Sequence, residues 1–432
     1  MSAEPTRPIY YGWKIVIAVF ILLTCMNGVS FYNQAIYLNA LSEDSGFDVQ
    51  TASFAVSLFF LSGGLTGLLV ARWVRDYDPR FSISAGSVLT AVGLCALPYI
   101  ESLWQLYGVY IILGMGFSAA GLIPATTLIT RWFKRRRALA LSIATTGLSA
   151  GGVVVTPLSV LLIDSLGFTL ATPLLGFLFL AVVVPVSHAL LRPSPASLGM
   201  RVDGESESEA HQAKTVSGGE VEEQGISYRQ AIHGRFFWGV SIAYFFLMLA
   251  QVGGITHQYG LAREQLSESA TALAIAILPI ASMTGRLMGG WILDTISIRL
   301  FSIIIMIIQT ASLALLAGGF SVITLCTGLF LFGATVGNIL MLQPLLIAEA
   351  YGVTDYARIY SLSNLMTSLG TAIGPALLGF AYAASANLYA VPYMVAALAG
   401  GLGLLLFLGG GSMHHAKVDR TQKPLTYQDD YR

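Results

Sequence analysis

The sequence predicts an all-α membrane protein: twelve transmembrane helices in two pseudo-symmetric six-helix bundles. Three observations support that expectation. First, 55% of the 432 residues are hydrophobic and only 11% are charged, against about 25% in a soluble domain. A water-facing surface needs more charge than this. Second, the apolar residues fall in runs of about 20 or more, the length that crosses a bilayer as a helix. Third, a polar stretch near the middle divides these runs into two equal sets. The runs lack the period-2 alternation that a membrane barrel requires. Basic and acidic residues balance at 23 each, so no nucleic-acid partner is expected.

In order, the first six spans are expected at roughly 14–40, 50–73, 82–100, 104–131, 138–163 and 169–191. The second six are expected at roughly 236–260, 268–293, 299–319, 322–349, 356–384 and 389–409. The opening run is too long for a cleavable signal segment. These spans define an N-terminal bundle at 1–192, a linker at 193–235, a C-terminal bundle at 236–411 and a tail at 412–432. The linker contains Pro193, Pro195, Gly218-Gly219 and a run of glutamates. It is expected to be largely disordered. Cys25, Cys95 and Cys326 sit singly in apolar runs and read as buried free thiols.

Charge sets the orientation. With both termini in the cytoplasm, every Lys and Arg except Arg263 and Arg286 falls at the inner ends of spans, in inner loops or in the termini. That is the positive-inside pattern. The densest basic run, Arg131 to Arg137, anchors the inner side. The short termini favour a plasma membrane location, in particular a bacterial inner membrane.

The halves look duplicated. The loop after the second span runs from Ala71 through Arg75 and Asp76 to Arg80. The loop after the eighth runs from Gly290 through Asp294 to Arg299. Both follow the same ordinal helix of their half and both end in Arg, as repeats do.

This loop pattern, the two sets of six spans and the acidic linker resemble the major facilitator superfamily. Within it the chain is similar to the monocarboxylate transporter and oxalate–formate antiporter branch. The matching stretches are Tyr11-Gly12-Trp13, Arg131-Trp132-Phe133 with the following basic run, and His257. They continue with Gly285-Arg286, then Gly370, Gly374-Pro375 and Gly379. The resemblance implies the major facilitator fold and a rocker-switch carrier with a central site near the midplane. It also implies that Asp294, Arg299, Arg75, Asp76 and Arg80 form a gating motif. The first copy departs from the family, with Ala71 for Gly and the Arg75-Asp76 order reversed.

Arg286 is the sharpest chemical feature. It lies eight residues before Asp294, roughly 12 Å into the membrane at about 1.5 Å per residue. A charge there costs about 2.5–3.5 kcal/mol or more, so it must face a cavity or a partner. Guanidinium offers paired donors that match a carboxylate. The resemblance implies substrate binding; the alternative is an ion pair with a buried acid. His257, near the outer end of span seven, suits proton coupling, gating or substrate contact. The alternative is a His bonded to a carbonyl or water.

Asn27, near the middle of span one, is a candidate contact or a helix bridge. Ser282 lies one turn before Arg286, where the resemblance places an acid in some members. Span eleven has no Lys, where the resembling oxalate-type carrier has one for a second carboxylate, so this departure argues against dicarboxylate exchange. Asn338 in span ten, with Tyr360 and Asn364 in span eleven, completes the candidate substrate-binding set. Thr126, Thr127, Thr145 and Thr146 are further polar candidates that equally suit bonds to their own backbone. Phe31, Tyr32, Tyr37, Phe330 and Phe332 are candidate pocket walls. Pro124, Pro279, Pro344 and Pro375 are expected to kink their helices.

The sequence contains no Walker loop, HExxH, nucleophile elbow or Cys/His metal spacing. No enzyme activity, cofactor or metal is expected. The expected function is secondary active transport of a small organic anion, a monocarboxylate first, by symport with protons or by antiport. The chain is expected to work as a monomer in the lipid bilayer. The alternatives are an efflux carrier for a larger, less polar compound and a membrane receptor that does not transport.

Overall fold

The computed structural model describes residues 10–43, 46–133, 136–204, 226–293, 295–319, 321–352 and 355–411. Among them the secondary structure is helical throughout. Twelve helices are long and apolar enough to cross a membrane. In the first half they are Gly12–Ser42, Val49–Val74, Pro79–Tyr99, Leu103–Trp132, Leu139–Leu166 and Phe168–Leu190 (spans 1 to 6). In the second they are Arg235–Arg263, Ser269–Leu293, Ile298–Gly318, Val322–Tyr351, Arg358–Ala384 and Ala390–Gly409 (spans 7 to 12). Each expected end lies within about three residues of the observed one.

Local chemistry explains the boundaries. Asp48 caps span 2 by accepting the Thr51 N–H. Ser102 and Gln105 form a capping box at span 4, and Ser321 caps span 10. Gly167 joins spans 5 and 6 at φ 76°, a conformation that favours glycine. Span 3 opens with Asp78 as cap and Pro79 in its first turn.

Two spans are not continuous helices. Span 1 runs as Gly12–Asn27, a π-turn over Gly28–Tyr32, and Gln34–Glu43. Span 4 breaks at Gly121 into Leu103–Ala120 and Leu122–Trp132. The π-turn lies where span 1 crosses span 5 at close range. A Cβ on Gly28 would stand 2.9 Å from the Gly151 carbonyl, and one on Gly151 2.6 Å from the Gly28 nitrogen. Irregular backbone at membrane depth is tolerated where it is buried in protein or lines a cavity.

The described flanks of the linker carry short helical turns. Pro195–Leu198 and Val202–Gly204 form 3₁₀ turns, and Tyr228–His233 is a short helix. Backbone carbonyls there are used by the bundle. Trp132 donates to Arg192 at 3.0 Å, and Tyr10 donates to Arg201 at 3.1 Å. On the other flank the Ile226 N–H bonds to the Tyr351 carbonyl at 2.9 Å, and the Tyr228 N–H bonds to Asp355 at 2.7 Å.

The halves touch on the side away from the linker. Tyr32, Ala35, Ile36 and Val160 of the first half share one core cluster with Ile255, Tyr259 and Leu278 of the second. Toward the linker side, Leu139, Ile143, Leu287, Met288 and Trp291 on the facing spans 5 and 8 are exposed. A central cavity is therefore closed on the far side.

Candidate functional site

The cavity lies between the halves and has a volume of about 180 Å³. Both helix breaks contribute to it: Asn27, Phe31 and Tyr32 at the span 1 π-turn, and Gly121 with Leu122 at the span 4 break. Spans 5 and 8 supply Ser149, Ser282 and Arg286. The remaining wall is mostly hydrocarbon, including Met26, Leu148 and Val336. The chemistry is one cation, a few neutral polar groups and an apolar lining.

Arg286 is half-buried. One terminal nitrogen donates to the Thr145 carbonyl at 3.0 Å, which ties span 8 to span 5. Its Nε is buried and has no hydrogen-bond partner. No carboxylate among the described residues pairs with it. The expected alternative, an ion pair with a buried acid, is thus not what the described residues build. Space for the guanidinium comes from Gly337: a Cβ there would stand 2.9 Å from Nε. An unpaired cation at this depth keeps donors free for an anion.

The polar neighbours are neutral. Ser149 donates to Ser282 across the two halves at 3.2 Å. Asn27 donates to the Leu148 carbonyl at 2.7 Å, so it bridges spans 1 and 5 while lining the cavity. Asn338 donates to the Gly285 and Ala334 carbonyls at 2.9 and 2.8 Å, which fixes span 10 against span 8 beside Arg286. Its buried Oδ1 has no partner.

Asn338 is buried and, like the remaining candidates, lies outside the cavity lining. His257 is fully buried on the far side, outside the cavity lining. Its Nε2 meets the Pro375 carbonyl at 3.2 Å and the Ser53 hydroxyl at 3.3 Å. A carbonyl can only accept, so Nε2 carries a proton, and the buried Nδ1 has no hydrogen-bond partner among the described residues. Tyr360 stacks on Tyr356 at 5.6 Å and donates to Asn364 at 3.5 Å. That pair belongs to the linker-side core of the second half. Tyr37 is buried inside the first half, donating to the Val29 carbonyl at 3.0 Å. Thr126, Thr127, Thr145 and Thr146 all bond back to their own helices.

In the first loop motif, Arg80 pairs with Asp78 at 2.6 Å, within the cap of span 3. Burial raises the Asp78 carboxyl, but the Arg80 hydrogen bonds and charge outweigh it and hold the group below its usual value. Asp294 and the side chains of Arg75 and Asp76 lie outside the described residues. Arg299 sits in the first turn of span 9, which Ser297 caps. The stretches Tyr11-Gly12-Trp13 and Arg131-Trp132-Phe133 pack on each other, with Tyr11–Trp132 and Trp13–Phe133 ring centres 5.6 and 5.3 Å apart. They secure the linker-side end of the first bundle and take no part in the cavity.

In span 4 sequence reasoning pointed to Thr126 and Thr127 and missed the break at Gly121 that lines the cavity. Gly121 three residues before Pro124 was the available signal, because that pair interrupts a helix. Gly337 was not legible, since its role depends on the helix opposite.

Two bundles of six spans, closed on one side around a cavity with one free cation among its described lining, define a membrane carrier. The chain belongs to the Major Facilitator Superfamily, whose model matches residues 20–345 and 254–426. It is 25% identical over 382 residues to an MFS-type transporter of Gibberella moniliformis, covering 86% of this chain and 84% of that one. It is also 25% identical over 403 residues to monocarboxylate transporter 11 of Mus musculus, covering 88% and 83%. In fold it is similar to a bacterial homolog of the human lysosomal transporter Spinster, solved inward-facing and unoccupied. That match has a TM-score of 0.66 at 16% identity and covers 94% of this chain and 96% of that one.

Proposed function

We propose that this carrier moves a small monocarboxylate across the plasma membrane by alternating access, with Arg286 holding the carboxylate. The observation behind this reading is the half-buried Arg286 guanidinium, which meets the cavity with Nε unpaired and no carboxylate partner among the described residues. A carboxylate would take paired donors there. The mostly apolar wall suits a short hydrocarbon tail and leaves little to satisfy a second charge. The volume of about 180 Å³ lies below the roughly 300–1,000 Å³ of pockets for drug-sized ligands. That favours a small acid over a larger efflux substrate. With the linker side cytoplasmic, as the basic residues expect, the conformation faces inward.

The described cavity lining contains no carboxylate, His or Lys. The loaded site is neutral overall, whereas the empty site keeps one buried charge. Return of the empty carrier is therefore the slower step. In this reading exchange outruns net uptake, and a coupled proton travels with the acid or through a group outside the cavity.

The test is uptake of labelled lactate into proteoliposomes, with and without an inward proton gradient and with and without internal acid. Arg286→Ala is expected to lower uptake about 100-fold, from about 3 kcal/mol of charge-assisted hydrogen bonding. Native-level uptake by that variant would sink the proposal, as would failure of short acids to compete in the native protein.

A further inference from the structure

Away from the central cavity, a second concavity lies where span 7 begins and span 12 ends. Its volume is about 400 Å³. The two helices cross closely at a pair of glycines: a Cβ on Gly239 would stand 2.5 Å from the Gly410 Cα. Above that crossing they leave a groove walled by Ile242, Leu405 and Leu406. Leu405 is 66% exposed on a face that meets the bilayer.

The mouth of the groove is basic. Arg235 and His233 line it. Arg235 is exposed, and its side chain makes no hydrogen bond or ion pair with any described residue. His233 is held in place because its Nδ1 donates to the Arg229 carbonyl at 2.6 Å. Trp238 forms a side wall, and its indole N–H is committed to the Ile232 carbonyl at 2.8 Å. A Trp at a span end marks headgroup depth. The site thus sets a cation at headgroup level directly over an apolar slot that opens to the hydrocarbon.

We propose that this groove binds one anionic phospholipid, its phosphate on Arg235 beside His233 and an acyl chain along Leu405 and Ile242. Charge complementarity selects the anionic class, since basic pockets between spans bind acidic headgroups. The apolar slot below excludes a free phosphate as the preferred occupant. Because spans 7 and 12 belong to one bundle, the lipid would secure that bundle's edge without entering the transport path.

The test uses the full-length chain in detergent, titrated separately with phosphatidylglycerol and phosphatidylcholine and read by native mass spectrometry. The native chain is expected to retain one phosphatidylglycerol about fivefold more tightly than phosphatidylcholine, the effect of one basic residue near the headgroups. Arg235→Gln is expected to erase that preference and leave phosphatidylcholine retention unchanged. Leu405→Trp, which fills the slot, is expected to weaken both lipids. Equal retention of the two lipids by the native chain overturns the proposal, as does an unchanged preference in Arg235→Gln. A preference that appears only after removal of residues 412–432 overturns it too, because the tail would then be the occupant. Both substitutions are at exposed positions, and thermal melting checks that each variant is folded.

Discussion

Among the helix pairs that join the halves, spans 5 with 8 and spans 2 with 11 are built differently. Down spans 5 and 8, Gly152 lies on Pro279, Ser149 on Ser282 and the Thr145 carbonyl on Arg286. These steps of three or four residues keep the contacts on one face of span 5. The stripe begins as a close-packed seal and ends at a charge. Down spans 2 and 11, Gly379 packs on Ser53, and Ser57 accepts the Ala376 N–H at 2.9 Å. Phe60 then packs into the linker-side core of the second half. That stripe takes in the His257 contacts to Ser53 and Pro375. Small residues permit both close approaches. Of these two crossings, the first supplies Ser149, Ser282 and Arg286 to the cavity lining and the second supplies no lining residue.

The largest effect is expected from crowding the seals. A Cβ on Gly152 would stand 2.6 Å from Pro279 and 2.8 Å from the Tyr32 ring. Gly152→Leu and Gly379→Leu should each disfavour far-side closure by roughly 1–3 kcal/mol of overpacking. Exchange in proteoliposomes should fall about tenfold or more in each. The two should part in KM: Gly152→Leu raises it through Tyr32, and Gly379→Leu leaves it near native. Native exchange rates in both would mean that neither crossing is a tight seal.

A milder pair sharpens the same contrast. Ser282→Ala removes a polar group from the cavity and is expected to raise the KM for the acid about fivefold, with melting little changed. Ser57→Ala removes the acceptor of the Ala376 N–H and should cost about 1 kcal/mol of stability with KM unchanged. Melting curves and saturation kinetics on the two variants decide it. An interchange of the two effects would mean that spans 2 and 11, not 5 and 8, face the substrate.

The smallest effect concerns the far-side rim. Glu264 accepts the Tyr389 N–H at 3.1 Å and ties the end of span 7 to the start of span 12. Burial raises its carboxyl above the ordinary 4.5, only partly offset by that hydrogen bond. The folded protein therefore holds this proton to higher pH than the unfolded chain. Stability is lost as pH rises from about 4.5 through the raised value and is flat beyond it. Glu264→Gln should flatten the melting-temperature profile across that window. An unchanged profile would assign the dependence to another group.

Much of the fold was legible in the sequence because bilayer crossing is a local property. A run of apolar residues long enough to satisfy its own backbone must be a helix, whatever it packs against. That is why the twelve spans and the split into halves emerged from composition alone, and why Arg286 could be excluded from lipid. The face each helix turns inward was not legible. These helices are apolar all round, so periodicity has little contrast to report. Tertiary structure decided that Asn27 and Ser282 line the cavity while His257, Tyr360 and Asn364 lie apart from it. It also decided that Gly337 makes room for Arg286 and that breaks in spans 1 and 4 open toward the site. Hydropathy determined which segments enter the membrane; close packing between helices determined which atoms meet.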